Sequence, residues 1–243
     1  MSTTGAVNTL STVDYAVFAS MLIVSALIGL YYWWTGRGKS SANEFLMANR
    51  SMSVLPVSMS VMATFISAIA LLGFPAEVYI YGLQNWAVMC SFPIVMYVSA
   101  YMFMPVFYEL QITSTFEYLD KRFGRSVRLL GSLIYTVNME WDYGVVCTFY
   151  TTIGGIKAVV WTDVFQTTLM FAMMGTVVVK GVYDLGGLHT LWDINKHFDR
   201  TELKSKSIYP THILDINWTS IYATNQAGVQ RYLSLPTLKK AQM

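Results

Sequence analysis

The stretch LPVSMSVMATFISAIALLGFPAEVYI, Leu55 to Ile80, decides how this chain is read. It carries no charge before Glu77, and the nearest charge upstream is Arg50. A helix needs about 20 apolar residues to cross a bilayer, so the stretch is long enough to span. Yet Ser58, Ser60, Thr64 and Ser67 lead into Gly73, Phe74 and Pro75, a combination that weakens a continuous membrane helix. Irregular backbone at membrane depth is tolerated only where protein buries it or where it lines a watery cavity. Two readings stay open at this point. One is a Ser/Thr-rich packing helix with a proline kink near its outer end. The other is a broken helix whose freed carbonyls hold a cation, as secondary transporters use.

Working outward, the same absence of charge recurs on both sides. No charged residue falls between Asp14 and Arg37, and none between Glu77 and Glu109. Spans are therefore expected at residues 13–34, 55–80 and 84–108, with another at 158–182 that tolerates Asp163 near its start. Trp33 and Trp34 suit the interfacial belt. The first run is too long for a signal peptide and has no basic segment before it. Over all 243 residues, 54% are hydrophobic and 12% charged, against roughly 45–50% and about 25% in soluble domains. A water-soluble globule is disfavoured, and 7 Trp, 16 Tyr and 13 Phe exclude a solvated, disordered chain. The formal charge of +2 offers no basic face to a nucleic acid. The expected fold class is an all-α integral membrane protein, with the lipid bilayer as its first partner.

Lys and Arg stay on the cytoplasmic side of short loops. Arg37, Lys39 and Arg50 follow the first span, and Lys121, Arg122, Arg125 and Arg128 follow the third, so an extracellular N-terminus is expected. Residues 127–153 break the pattern, because two apolar halves flank Glu140 and Asp142; an acidic side chain at a helix centre costs about 2.5–3.5 kcal/mol. This is a marginal span. Charge counting favours its crossing, which would put Lys157 outside and the tail inside. Residues 183–243 read as a polar tail with a short amphipathic surface helix in Gly187 to Phe198. Asn217, Trp218 and Thr219 form a glycosylation sequon, and Asn49, Arg50 and Ser51 a second that falls on the cytoplasmic side. Cys90 and Cys147, in apolar surroundings, read as inert thiols.

Enzyme chemistry finds little support. His189, His197 and His212 lie in the tail at spacings unlike a metal-binding helix. Neither a Gly-x-Ser-x-Gly elbow nor a phosphate-cradling glycine loop occurs. Gly154-Gly155 and Gly186-Gly187 read as turns beside membrane helices. Lys157 and Asp163, flanking the start of the span at 158–182, read as interface anchor and helix-end cap.

Five blocks in order resemble a known family: EFLMANRSM (Glu44 to Met52), FISAIALLGFPAEVYIYG (Phe65 to Gly82), TSTFEYLDKRFGRSVRLLGSLIY (Thr113 to Tyr135), GVVCTFYTTIGGIKAVVWTDVFQ (Gly144 to Gln166) and NQAGVQRYLS (Asn225 to Ser234). They are similar to landmarks of the sodium:solute symporter family. The run Pro75 to Tyr79 and the position of Ala70 look most like its multivitamin, monocarboxylate and iodide branch. The resemblance implies a partial LeuT-type helical bundle: an extra N-terminal helix followed by an incomplete first inverted repeat. It also implies sodium as the coupling ion, with no other cofactor, and a small organic anion such as biotin, pantothenate or a monocarboxylate, or iodide, as solute. By motif, sodium falls on the backbone carbonyls of Ala63 and Ile66, and the solute path on Thr64, Phe65, Ser67 and Ala70. The expected location is the plasma membrane.

The family has two complete helices where residues 127–153 stand here. The sequence reads as the start of one joined to the end of the next at about Asn138 to Tyr143, with a second join before NQAGVQRYLS. The expectation is a shortened or incomplete member that does not transport by itself. The alternative is a non-transporting remnant or regulatory fragment that pairs with a full-length symporter.

Overall fold

The computed structural model describes residues 11–36, 41–66, 68–82, 86–140, 145–201 and 216–243, and every regular element among them is a helix. In chain order these are α1 (Thr12–Gly36), α2 (Ala42–Met47), α3 (Val54–Phe65), α4 (Ala68–Tyr81), α5 (Trp86–Val98), α6 (Met104–Glu109), α7 (Thr115–Phe123) and α8 (Arg125–Glu140). They are followed by α9 (Val145–Asp184), α10 (Leu188–His197), α11 (Ile216–Thr224), α12 (Gln226–Leu233) and α13 (Leu238–Ala241). A π-helical turn, Ser99–Phe103, joins α5 to α6. By length and apolarity Thr12–Gly36, Met89–Glu109 and Thr151–Asp184 can cross a membrane, and the bent pair Val54–Phe65 and Ala70–Tyr81 makes a broken fourth.

The long helix α9 is the spine, with α1 and α3 packed along it. On α1 the residues buried are Ser25 and Gly29, one helical turn apart. Small residues at that spacing let membrane helices approach closely, since apolar bulk gains nothing over lipid there. On α3 the buried face is Pro56, Val57 and Ser60, and on α9 it includes Ile156, Val160, Asp163 and Thr167. Thr167 donates its hydroxyl to the carbonyl of Met59 at 3.2 Å, a bond between helices that lipid cannot supply.

Gly155 (φ 62°, ψ −165°) leaves the helical region and divides α9 into two helical stretches, so the Gly-Gly pair is a sharp turn at the start of the longer, membrane-length stretch, as expected. Gly186 and Gly187, both at positive φ, form the turn into α10. That helix exposes Leu188 and Trp192, as an amphipathic surface element does. The start of α7 carries its own cap: Ser114 Oγ accepts from the Glu117 N–H at 3.2 Å, while the Glu117 carboxylate accepts from the Thr113 N–H at 2.9 Å.

The structure adds to the sequence expectation at two places. The segment after residue 182 is not uniformly a polar tail. In α12, Val229 and Leu233 are fully buried in a core with Met47, Met104, Phe107 and Ile112. The polar residues that disguise this helix direct their hydrogen bonds to other helices. Lys157, expected as an interface anchor, also forms an ion pair with α2, its Nζ 2.9 Å from Glu44 Oε1.

Candidate functional site

The break in the decisive stretch is real. Ile66 leaves the helical region (φ −84°, ψ 87°) after its N–H reaches back to the Met62 carbonyl at 2.9 Å. The chain then restarts as α4, bent by 61° from α3. Pro75 lies inside α4 and does not end it. The interruption is therefore near Ile66, not at the Gly73 to Pro75 kink. A helix's last four carbonyls have no partner within the helix, and in α3 this turn runs from about Ala63 to Ile66.

Beside the break lies a cavity of about 690 Å³. Phe65, Ile66, Ala70, Phe92, Met96 and Tyr222 are among its walls. Of the expected solute-path residues, Phe65 and Ala70 thus face one space. Thr64 is not among its walls, and its hydroxyl instead donates to the Ser60 carbonyl at 2.9 Å, bonding back along its own helix. Ala63 contributes no side chain to the cavity. Ser67 and the side chain of Asn217 lie outside the described residues. Phe65 packs on Tyr222 with ring centroids 4.3 Å apart, and Tyr222 meets Phe92 edge-on at 6.1 Å. These rings form an aromatic wall at the discontinuity. A Cβ on Gly228 of α12 would come within 3.2 Å of Phe65 Cζ, so glycine there lets α12 approach this wall.

Below the break is an ionic cluster, one member of which the sequence presents as a helix-end cap. Arg231 of α12 donates Nη2 to Asp163 Oδ2 at 2.9 Å and Nε to Ser60 Oγ at 2.6 Å. Ser60 donates its hydroxyl to the same Asp163 oxygen at 2.5 Å, closing a triangle across α3, α9 and α12. The Arg231 and Asp163 side chains are only 11% and 10% exposed. Other residues of the NQAGVQRYLS block also bond to neighbouring helices. Asn225 caps α12, Gln226 accepts from the Thr115 N–H and hydroxyl, and Gln230 donates to the Leu46 carbonyl. The carbonyls of Tyr232 and Leu235 accept from the Tyr108 hydroxyl at 2.8 and 3.1 Å. One short helix thus ties together α2, α3, α6, α7 and α9. The signal in the sequence was an aspartate inside an apolar span together with an arginine in the NQAGVQRYLS block, but pairing them needs the tertiary structure.

The neighbouring Lys157–Glu44 pair is a different case. Its side chains are 32% and 21% exposed, where solvent screens the attraction. Replacing Glu44 by Gln is expected to change stability by less than about 1 kcal/mol, checked by thermal unfolding at low and high salt.

A broken span, a cavity at the break and a clasp closing one end define a helical membrane bundle of the LeuT type. The fold agrees with the solved structure of a Na+-coupled sialic acid symporter in a substrate-bound outward-open state, with a TM-score of 0.73 and 22% identity, covering 95% of this chain and 55% of that one. The model for "Sodium:solute symporter family" matches residues 45–142 and 132–216, and the chain belongs to that family. Sodium-coupled monocarboxylate transporter 1 of Xenopus laevis is 39% identical over 282 residues, covering 100% of this chain and 45% of that protein. The sodium-dependent multivitamin transporter of Oryctolagus cuniculus is 38% identical, covering 96% and 42%. The sodium/iodide cotransporter of Homo sapiens is 38% identical, covering 99% and 43%. The chain spans less than half the length of these relatives. The first alignment is longer than the chain itself, so that relative holds residues within the matched region that have no counterpart here. The two family matches also overlap over 132–142, where the sequence suggests a join.

Proposed function

We propose that this chain carries the hinge half of a sodium-coupled symporter for a small organic anion or iodide. The observation that supports this most is the interruption at Ile66 opening onto an apolar cavity. A cation there would take the backbone carbonyls of Ala63 and Ile66, while the solute would pass Phe65, Ser67 and Ala70, with Thr64 held back by its bond to Ser60. The remaining hydroxyl ligands expected from the family belong to a helix of the second repeat, outside these 243 residues. The inward sodium gradient would drive the solute by alternating access about the break. The end bearing α2, Lys157 and α12 is the cytoplasmic one in this reading, which leaves the N-terminus outside.

By themselves the 243 residues are expected to bind sodium weakly and to transport nothing. Hydrogen exchange of the purified chain in lipid nanodiscs should slow over residues 63–70 when sodium replaces choline. Identical exchange in the two salts would remove the sodium site. Cells expressing only this chain should take up no labelled lactate, biotin or iodide above background. Uptake that vanishes on removing sodium would show that the second repeat is dispensable. The alternative role, pairing with a full-length symporter, rests on the apolar residues that α4 exposes, among them Leu72, Val78 and Ile80. Co-precipitation at matched expression tests it.

A further inference from the structure

Among the described residues, the outer half of the broken span makes close contacts at its tip. From Leu72 to Tyr81, α4 is exposed at every residue except Phe74, and it makes no extended packing contact with another described element. Its tip is different. Gly82, just past the helix end, is buried at φ +74°, and a Cβ there would lie 2.7 Å from the Arg200 carbonyl oxygen. Arg200 also lays its guanidinium over the Tyr79 ring at 4.0 Å from the centroid, and over Phe198 at 4.9 Å. Its own backbone is fixed, because its N–H donates to the Asn195 carbonyl at 3.0 Å at the end of α10. The opposite, inner end of α4 adjoins the non-helical residue Ile66.

We infer that Arg200 is a positioning residue, a latch by which the turn after α10 pins the outer tip of α4 and sets how readily that half-helix swings about Ile66. A planar cation held against two aromatic rings gives an attraction that is strong enough to bias a hinge and weak enough to release. The close approach at Gly82 supplies shape: only a residue without a side chain lets the Arg200 backbone seat on the tip. The inference rests on α4 being the moving half of the broken span, but it concerns the hinge and not the solute.

The test is hydrogen exchange by mass spectrometry on the complete 243-residue chain in nanodiscs, comparing 68–82 with 54–65. Arg200→Ala and Tyr79→Leu should each speed exchange over 68–82 by roughly two- to fivefold, and combining them should add little. Tyr79→Phe, which keeps the ring, should leave exchange near the parent's. Gly82→Ala should reproduce the Arg200→Ala effect. Residues 54–65 should be unaffected throughout. Acceleration shared equally by 54–65, no acceleration at all, or a Tyr79→Phe variant as fast as Tyr79→Leu would each overturn the latch. Because the readout needs neither sodium nor solute, its failure is separable from failure of the symporter reading.

Discussion

Replacing Arg231 by Ala is expected to destabilise the protein by about 3–5 kcal/mol, the cost of leaving a buried charge without its partner. The guanidinium serves three acceptors at once: Asp163, Ser60 and the Ala227 carbonyl at 2.8 Å. With Ala at 231, the Asp163 carboxylate, only 10% exposed, keeps the Ser60 hydroxyl but loses its counter-charge. A fall of roughly 10 °C in the thermal midpoint in detergent would follow for a chain of this size. Arg231→Lys should recover little, since one ammonium cannot reproduce the planar fork. The informative comparison is the double variant Arg231→Met with Asp163→Leu. Removing both charges removes the desolvation penalty along with the attraction, so the double variant should be far more stable than Arg231→Ala. If instead Arg231→Ala unfolds at the parent's temperature, the cluster is not what binds α12 to α3 and α9.

The second large effect belongs to Gly155→Ala. The backbone there (φ 62°, ψ −165°) lies in a region that only glycine occupies comfortably. An added Cβ would also sit 2.9 Å from the Phe45 carbonyl oxygen and 3.0 Å from its ring. Strain of about 1–3 kcal/mol adds to a backbone clash that no side-chain rotation relieves. The expected outcome is loss of the α2 contact with α9 and a markedly lower midpoint. Gly175→Ala and Gly181→Ala are the internal controls. They lie in the same helix, and an added methyl at either would meet nothing within 4 Å, so each should be neutral or stabilising by up to about 1 kcal/mol. Equal destabilisation at 155 and 175 would show that the kink geometry is not what glycine supplies.

Much of this architecture is legible one segment at a time. Both α1 and the helix running through α5 and α6 announce themselves by an uncharged run, because lipid offers no partner to a charge and so its absence marks the segment locally, and α9 does so by a long apolar run that tolerates Asp163. The broken span is likewise visible as hydroxyl-bearing residues in an apolar run, although Gly73 and Pro75 draw attention to the wrong turn. Proline inside a membrane helix can be accommodated, so α4 continues through Pro75 and the break falls earlier, where Ile66 leaves the helical region.

The amino-acid order alone therefore settles that this is a helical membrane protein and which family it belongs to. The first depends on composition within the length of a single span, and the second on short blocks kept in order along the chain. It does not settle which polar residues in or near the spans belong to the bilayer interface and which meet inside the protein. Asp163 and Arg231 are 68 positions apart, and each taken singly resembles an ordinary helix-end charge. Their meeting is a property of three helices packing together. Only that packing turns two unremarkable charges into a buried clasp beneath the break, turns a polar-looking tail into core, and sets Arg200 on the tip of the half-helix beyond the hinge.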